Sequence, residues 1–164
     1  MPAAFYRRKL PHLQRDNKPH FLTFCTYQRW LLPASARDIV LESCLHDDHL
    51  KLDVDAVVVM PDHVHMIFAP LINEQAREVF SLAEIMDAIK GASAHKINRL
   101  LERMGKVWQT ESFDRVLRSS EKLDEKIQYI LENPVRKGLV TTWTEYRWLW
   151  YRERESPYSP DKPA

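Results

Sequence analysis

The stretch from Val57 to Phe68 constrains the fold most strongly, because it is typical of two apolar strands joined by a tight turn. Its consecutive valines favour extended structure, since β-branched side chains are stiff and pack well on a pleated surface. The pair Pro61-Asp62 is typical of the turn. Side chains alternate between the two faces of a strand, so His63 and His65 are predicted to point to the same side.

Two imidazoles on one face of a strand could bind a single metal ion. The same pattern, taken alone, is more often found as two partly exposed, hydrogen-bonded histidines. The choice between a metal site and ordinary histidines therefore depends on what the rest of the chain places beside His63 and His65.

Composition predicts one ordinary globular domain. The chain has 164 residues, of which 45% are hydrophobic and 29% charged, enough for a substantial core. Three glycines leave no Gly-rich phosphate loop or dinucleotide-binding motif. Cys25 and Cys44 make neither a disulfide framework nor a zinc knuckle, so we expect a reducing cytoplasm. The absence of a long apolar run or signal-peptide core predicts a protein that neither spans membranes nor is secreted.

The formal net charge of +1 hides an uneven distribution. Residues 1–30 hold six bases and one acid (+5), residues 37–87 three bases and eleven acids (−8), and residues 136–154 five bases and two acids (+3). Basic ends around an acidic middle suggest that the termini contact a polyanion. Ordinary solvated surfaces could produce the same distribution.

The remaining elements follow from periodicity and capping signals. We expect strands at 20–27, 52–60, 63–69 and within 107–117, and helices from Ser35 to about His49, from Ser81 to about Met104, and from Ser120 until Pro134 stops the last one. Ser35 with Asp38 and Ser81 with Glu84 resemble capping boxes.

The order of these elements predicts an α+β, ferredoxin-like split βαβ sandwich, with an antiparallel sheet, helices on one face and an added C-terminal helix. We expect a basic N-terminal arm at residues 1–19, the domain at 20–150 and a disordered tail at 151–164.

The last helix carries a tyrosine outside its apolar stripe. The stripe consists of Leu123, Ile127, Ile130 and Leu131. At 100° per residue, Tyr129 lies roughly 145° from the centre of this stripe. It shares its face with Lys122, Lys126 and Asn133, with Glu125 and Glu132 at the edge. A surface tyrosine on a charged helix is common, but this face offers a phenol, an amide or carboxylate, and cations together.

Tyr129 and the two histidines together have a chemical meaning. A phenol is a poor nucleophile at neutral pH, but a divalent cation held by two imidazoles and one more polar side chain could polarise a phosphate oxygen and stabilise the transition state. Attack on a DNA phosphodiester would give a phosphotyrosine and a free hydroxyl, and rejoining would need no ATP. Imidazole ligands suit Mn²⁺ or Zn²⁺, while cellular abundance favours Mg²⁺. We expect Mg²⁺ or Mn²⁺.

Three ordered motifs carry a family resemblance: Val-Met-Pro-Asp-His-Val-His-Met-Ile-Phe around His63, Trp108-Gln, and Tyr-Ile-Leu-Glu-Asn-Pro-Val-Arg-Lys-Gly-Leu-Val from Tyr129. Together they resemble the single-tyrosine HUH transposases of bacterial insertion sequences. The Asn-Pro-Val ending and the Tyr-Arg-Arg-Lys-Leu-Pro-His opening resemble their domesticated branch, the REP-associated tyrosine transposases. The resemblance covers about residues 5–150.

This resemblance implies a ferredoxin-like fold, a divalent metal, and cleavage and joining of single-stranded DNA at palindromic hairpins. It implies His63 and His65 as metal ligands, Tyr129 as the nucleophile, and Asn133, or the adjacent Glu132, as a third ligand. Whether Tyr129 acts in its own subunit or in a partner stays open, and the domesticated branch favours a monomer over a homodimer.

Contacts to DNA phosphates are predicted for bases in the arm, the middle helix and the last helix. They are Arg7, Arg8, Lys9, Lys90, Lys96, Arg99, Arg136 and Lys137. Tyr6 and Trp108 could stack on unpaired bases, although Trp108 is better explained as a core residue.

Two other functions fit the same residues. The chain could be a catalytically silent binder of hairpin nucleic acid. It could also be a metal phosphoesterase that uses water as its nucleophile, with Tyr129 incidental.

Overall fold

The computed structural model describes residues 18–153, and every structural statement concerns this range. Most of the predicted arm and tail, including Tyr6, Arg7, Arg8 and Lys9, lies outside the described residues.

An antiparallel five-stranded sheet forms the centre of the fold. Its strands are β1 (His20–Thr26), β2 (Leu52–Val59), β3 (His63–Pro70), β6 (Trp108–Val116) and β7 (Leu149–Tyr151), while β4 (Ile72–Asn73) and β5 (Glu78–Val79) form a separate short ribbon. The order across the sheet is β6-β1-β3-β2-β7, and every neighbouring pair is antiparallel.

Three α-helices cover the sheet: α1 (Ala34–Leu45), α2 (Leu82–Leu100) and α3 (Ser120–Arg136). Helices α1 and α2 pack on one face and α3 on the other, as the two separate hydrophobic clusters show. Strands β1, β2, β3 and β6, together with α1 and α2, have the order of a ferredoxin-like split βαβ fold. The predicted fold is thereby confirmed, and α3 is the predicted additional C-terminal helix.

Both faces of β3 are buried, and its side chains alternate between the two clusters. Val64, Met66 and Phe68 belong to the cluster under α1 and α2, whereas Ile67 belongs to the cluster under α3. A strand covered on both sides needs apolar residues at nearly every position, which explains the continuous apolar run in the sequence. His63 and His65 therefore interrupt the face toward α3.

A bulge in β2 was not predicted. The register against β3 shifts between Val54 and Ala56, so one extra residue stands at Asp55. Because the shift changes which face each residue points to, Val54 and Val57 both lie under α1 and α2, while Ala56 and Val58 lie under α3.

The capping box predicted for α1 is wrong. The helix begins at Ala34 with Pro33 as its N-cap, lacks a side-chain cap and ends at Leu45, not at His49. The Asp38 carboxylate instead accepts a hydrogen bond from Trp148 Nε1 at 2.8 Å and one from Arg147 at 2.8 Å. A distant aromatic segment therefore uses the carboxylate that a capping box would need.

The cap predicted for α2 is confirmed, but the predicted length is too great. Ser81 Oγ accepts a hydrogen bond from the Glu84 amide at 3.1 Å. The helix ends at Leu100, and Met104, predicted in its apolar stripe, is 93% exposed. Glu102 takes a positive φ of 50°, which ends the helical run before Met104 can reach the core.

Pro134 does not stop α3, which continues to Arg136. Pro134 has no amide donor, so the Ile130 carbonyl lacks its usual helical hydrogen bond from residue 134. The carbonyl of Pro134 accepts a hydrogen bond from the Leu139 amide at 2.9 Å, which closes the helix end.

The aromatic segment after α3 completes the sheet. A 3₁₀ helix at Trp143–Glu145 leads to Tyr146, whose buried hydroxyl donates to the Val59 carbonyl at 2.6 Å. Strand β7 then pairs with β2. The domain boundary predicted at residue 150 falls within β7. Beyond this strand, Arg152 donates a hydrogen bond to the Asp48 carboxylate at 2.6 Å, so contacts with the domain continue past residue 150.

None of the helices within residues 18–153 combines the length and the apolar character needed to cross a membrane.

We expect Ile130→Ala to lower the free energy of unfolding by about 2–5 kcal/mol, because Ile130 is fully buried between α3 and the sheet and the substitution leaves a cavity. Urea unfolding followed by circular dichroism measures the change. Leu100→Ala, at a position 55% exposed, is the matched control and should change stability by less than about 1 kcal/mol. Equal losses in both variants would contradict the packing described for α3.

Candidate active site on the sheet face under α3

The two histidines lie side by side at the start of β3, on the face that α3 covers. Their ring centroids are 4.8 Å apart, with the rings nearly perpendicular. The register pairs His63 with Cys25 and His65 with Thr23 on β1.

The His63 ring is held by the residue before it. The hydrogen bond between His63 Nδ1 and Asp62 Oδ1 is 2.7 Å long. Partial burial raises the pKa of Asp62, but the hydrogen bond from His63 and the charge of Arg29 outweigh this effect, so the pKa lies below its usual value. An ionised carboxylate can only accept hydrogen bonds, so Nδ1 is the donor in this bond and Nε2 is the ring nitrogen that could bind a metal.

His65 is more deeply buried, with 8% of its surface exposed. Burial, followed by repulsion from His63, Arg136, Lys126 and Lys137, lowers its pKa to about 3. The ring is therefore neutral at physiological pH, as a metal ligand must be. Its Nδ1 is 2.7 Å from the Thr23 hydroxyl, and Phe21 stacks on the ring at a centroid distance of 5.3 Å.

Helix α3 places the Tyr129 ring against His65. The two rings meet edge to face with centroids 5.6 Å apart, and Tyr129 also contacts Phe21 at 5.9 Å. Tyr129 remains 39% exposed, so a ligand can reach it from solvent.

Two cations flank the Tyr129 ring. Lys126 Nζ lies 5.3 Å from the ring centroid, and the Arg136 guanidinium lies 4.3 Å from it. Arg136 also donates to the Tyr129 carbonyl at 2.9 Å. The Glu132 carboxylate accepts hydrogen bonds from Gln128 at 2.7 Å and Arg136 at 3.5 Å along the helix surface.

Asn133 is buried, not on an exposed face as the helical periodicity predicted; its exposed fraction is 2%. Its Nδ2 atom has no hydrogen-bond partner among the described residues. A buried amide without a partner is costly. Turning the amide by 180° exchanges Nδ2 and Oδ1, which would offer a carbonyl oxygen at the same buried position.

Comparison with known proteins identifies the family. Residues 14–133 match the family described as "Transposase IS200 like". The chain belongs to the IS200-like transposases. The family resemblance expressed by the three motifs is thereby confirmed.

One solved structure shows the same fold. A REP-associated tyrosine transposase bound to a REP hairpin is similar with a TM-score of 0.66 and 18% identity, covering 82% of this chain and 76% of that one. A putative transposase from Deinococcus radiodurans R1 has a TM-score of 0.46 and 22% identity, over 70% of this chain and 88% of that one. No curated protein matches the sequence significantly.

The predicted DNA-contacting residues of this transposase fall on different surfaces. Arg136 and Lys137 lie at the end of α3, near His65. Lys90, Lys96 and Arg99 belong to α2, on the opposite face of the sheet. Lys96 and Arg99 are exposed.

Lys90 has contacts within the fold. Its ammonium donates to the carbonyls of Gln109, Thr110 and Glu111 at 3.0, 3.3 and 3.4 Å, and burial lowers its pKa. Trp108, which could have stacked on a base, is buried and donates to Ser93 Oγ at 2.9 Å, so its interpretation as a core residue is confirmed.

One group of three His, Cys, Asp or Glu side chains within residues 18–153 is compact enough to hold a metal: Asp48, His49 and Asp53. This group lies near the C-terminal end of β3, because Asp53 pairs with Ala69. Ala69 is six residues after His63, which corresponds to about 20 Å along the strand. Arg152 already pairs with Asp48 at 2.6 Å. This group is therefore separate from the histidine pair.

Sequence reasoning missed the side chains that orient the imidazoles. Asp62 was assigned only to the turn, although its position directly before His63 was a usable signal. Thr23 and Phe21 reach His65 through the pairing of β1 with β3, a register that no motif in the sequence specifies.

We expect the protein in EDTA to lose stability as the pH falls from 6.5 toward 3 because of His65. Above about pH 6.5 the His65 imidazole is neutral in both the folded and the unfolded protein. Below this pH, His65 binds a proton in the unfolded chain but not in the folded protein, where its pKa is about 3, so the unfolded state is favoured. This difference amounts to about 2 kcal/mol between pH 6.5 and 5.

Urea unfolding at pH 7 and pH 5 measures this effect. His65→Gln should depend less on pH than the wild type, whereas His95→Gln, at an exposed position, should retain the wild-type dependence. Identical pH dependence in all three proteins would contradict the burial of a neutral His65.

Proposed function

We propose that this chain is a metal-dependent single-strand DNA endonuclease and strand transferase, which cleaves and rejoins DNA at palindromic, REP-like hairpins through a phosphotyrosine. The observation that carries the proposal is the position of Tyr129, with its ring 5.6 Å from that of His65 on one face of the sheet. Membership of the IS200-like transposases supports the reaction class.

His63 and His65 would hold the divalent cation, Mg²⁺ or Mn²⁺, with Asn133 as the third ligand. The residues fit such an ion in three respects: His63 is bonded to Asp62 through Nδ1, so that its Nε2 could face the ion, His65 is neutral, and the Asn133 amide is buried with an unpartnered nitrogen. A bound cation supplies polarisation of a phosphate oxygen and stabilisation of the charge that develops in the transition state.

The chain's own residues perform the remaining steps. Tyr129 Oη attacks the phosphorus, so a bond from phosphorus to the phenolic oxygen forms as the bond to a deoxyribose oxygen breaks. The phenol releases its proton, and the deoxyribose oxygen takes up a proton and leaves as a hydroxyl. In the reverse step this hydroxyl attacks the phosphotyrosine and restores both the phosphodiester and the phenol, without ATP.

Lys126 and Arg136 assist by attracting the phosphodiester to the ring that they flank. Asp62 and Thr23 keep the two imidazoles in one orientation, as outer-shell partners of metal ligands do.

Hairpin DNA is the proposed substrate. The solved REP-associated transposase of the same fold is bound to a REP hairpin, and Arg136 and Lys137 put positive charge beside His65. The arm at residues 1–19 would supply further phosphate contacts through Arg7, Arg8 and Lys9, ahead of the domain at 20–150 and the tail. On α2, Lys96 and Arg99 would be more distant contacts.

We also propose that Tyr129 acts in its own subunit and that the protein works as a monomer. Tyr129 already contacts His65 within one chain, so a second copy is not needed to bring phenol and imidazole together.

We expect Tyr129→Phe to abolish covalent joining to DNA, because the substitution removes the attacking oxygen and keeps the ring. The protein is incubated with a labelled hairpin oligonucleotide carrying single-stranded ends and Mn²⁺ or Mg²⁺, and a protein–DNA adduct that resists denaturation is sought on a gel. Tyr151→Phe, on β7, is the matched control and should form the adduct normally.

The same assay separates the alternative functions. Cleavage that survives Tyr129→Phe would indicate a phosphoesterase that uses water. A gel shift without cleavage in the wild type would indicate a silent DNA binder. Either result would refute the phosphotyrosine mechanism.

We expect Asn133→Ala to weaken Mn²⁺ binding at least about tenfold, because it removes one of three proposed ligands. Isothermal titration calorimetry measures the affinity. Glu132→Gln is the control, since this carboxylate is bonded to Gln128 and Arg136. A loss of affinity in Glu132→Gln with none in Asn133→Ala would assign the third ligand to Glu132 instead.

A further inference from the structure

A second surface of unusual composition adjoins the histidine end of β3. It is formed by the 3₁₀ turn and loop after β1 and by the loop after α2, and we call it the aromatic edge. Its members are Tyr27, Arg29, Trp30, Leu31, Arg103 and Lys106. Tyr27 is 42% exposed and Leu31 is 66% exposed.

Hydrogen bonds join the aromatic edge to the histidine site. The Leu32 amide donates to the Pro61 carbonyl at 2.7 Å. Arg29 Nε donates to Asp62 Oδ2 at 3.0 Å, while Asp62 Oδ1 is bonded to His63. The aromatic edge therefore adjoins the histidine site, so a DNA strand with one phosphate at His63 could continue onto Tyr27.

The charge of the aromatic edge suits a polyanion. The Arg103 guanidinium lies 4.1 Å from the Trp30 ring centroid, and Lys106 Nζ lies 5.6 Å from that of Tyr27. Residues 27–31 and 99–106 hold four bases against the single acid Glu102. A cation beside an aromatic ring offers a phosphate contact and a base-stacking surface at neighbouring positions.

The backbone of the turn is held in a conformation that these residues rarely adopt. Gln28 and Arg29 have φ values of 53° and 56°, in the left-handed region that favours glycine. Such strain is concentrated at functional sites, where it fixes the direction of neighbouring side chains. Here it accompanies the half-exposed Tyr27 ring.

We propose that the aromatic edge binds the single-stranded DNA that continues from the phosphate at the histidine site. Tyr27 stacks on an unpaired base, and Arg103 and Lys106 contact the flanking phosphates. The inference rests on the proposed function, since it extends the path of the same DNA substrate. Unpaired DNA is the occupant because stacking on Tyr27 requires an open base face, which the interior of a duplex does not offer.

Equilibrium binding of two labelled DNAs tests the proposal, with the full chain in EDTA to prevent cleavage. One is a blunt hairpin, and the other is the same hairpin with single-stranded ends. Tyr27→Ala should weaken binding of the extended DNA by about 5- to 150-fold, the loss expected for one stacked base, with little effect on the blunt hairpin. Tyr27→Phe should retain the wild-type affinity, because the ring is preserved.

Lys106→Gln provides an independent measurement through salt dependence. The slope of log K against log salt for the extended DNA should become shallower by about 0.7, the value for one contact to a single-strand phosphate. Leu50→Ala is the control for the loss of an exposed apolar side chain. Leu50 is 67% exposed and lies just before β2, at the end of that strand away from the histidines. This substitution should change neither the affinity for the extended DNA nor the salt slope. Thermal unfolding verifies that each variant is folded.

Equal losses for both DNAs in Tyr27→Ala, or no loss for either, would overturn the aromatic edge as a single-strand site. The proposed function would still stand if the Tyr129-dependent adduct forms. Tighter binding of single-stranded RNA of the same sequence would overturn the assignment to DNA. A wild-type protein that binds neither DNA and forms no adduct would overturn both proposals.

Discussion

The packing of α3 against the sheet is the interaction on which the candidate site depends. Ile130 is fully buried against the face that contains Ala56, Val58 and Ile67, and this contact fixes the rotation of the helix. Successive residues on a helix are 100° apart, so Tyr129, next to Ile130, lies at the border between sheet and solvent. One hydrophobic contact thus leaves the phenol accessible and close to His65.

The positive charges around the site serve two purposes. Lys126, Arg136 and Lys137 oppose protonation of His65, and burial opposes it more strongly. The same cations provide a positive potential where a phosphodiester would approach Tyr129. Under the proposed function, a neutral imidazole in a cationic neighbourhood would keep its lone pair for the metal and leave the positive charge to attract DNA.

Local patterns predicted most of the fold, because the alternation of β3, the Ser81 cap and the apolar stripe of α3 are encoded within a few residues of one another. The missing features depend on long-range pairing. The bulge at Asp55, the strand β7 and the hydrogen bond from Trp148 to Asp38 require neighbours that are distant in sequence. For the same reason the histidine pair and Tyr129 could be named from motifs, whereas Thr23 could not.

Asn133 illustrates how periodicity alone misplaces a residue at the edge of a stripe. It lies 40° from Tyr129 and 60° from Ile130 at 100° per residue, so a small rotation decides whether it is exposed. The structure buries it and leaves Nδ2 without a partner among the described residues, a cost of about 1–3 kcal/mol that a leucine would avoid. A cation shared with His63 and His65 would offset this cost once the amide turns its oxygen toward the ion. Under the proposed metal site, that compensation would be a physical reason for an amide at a position where packing alone favours an apolar side chain.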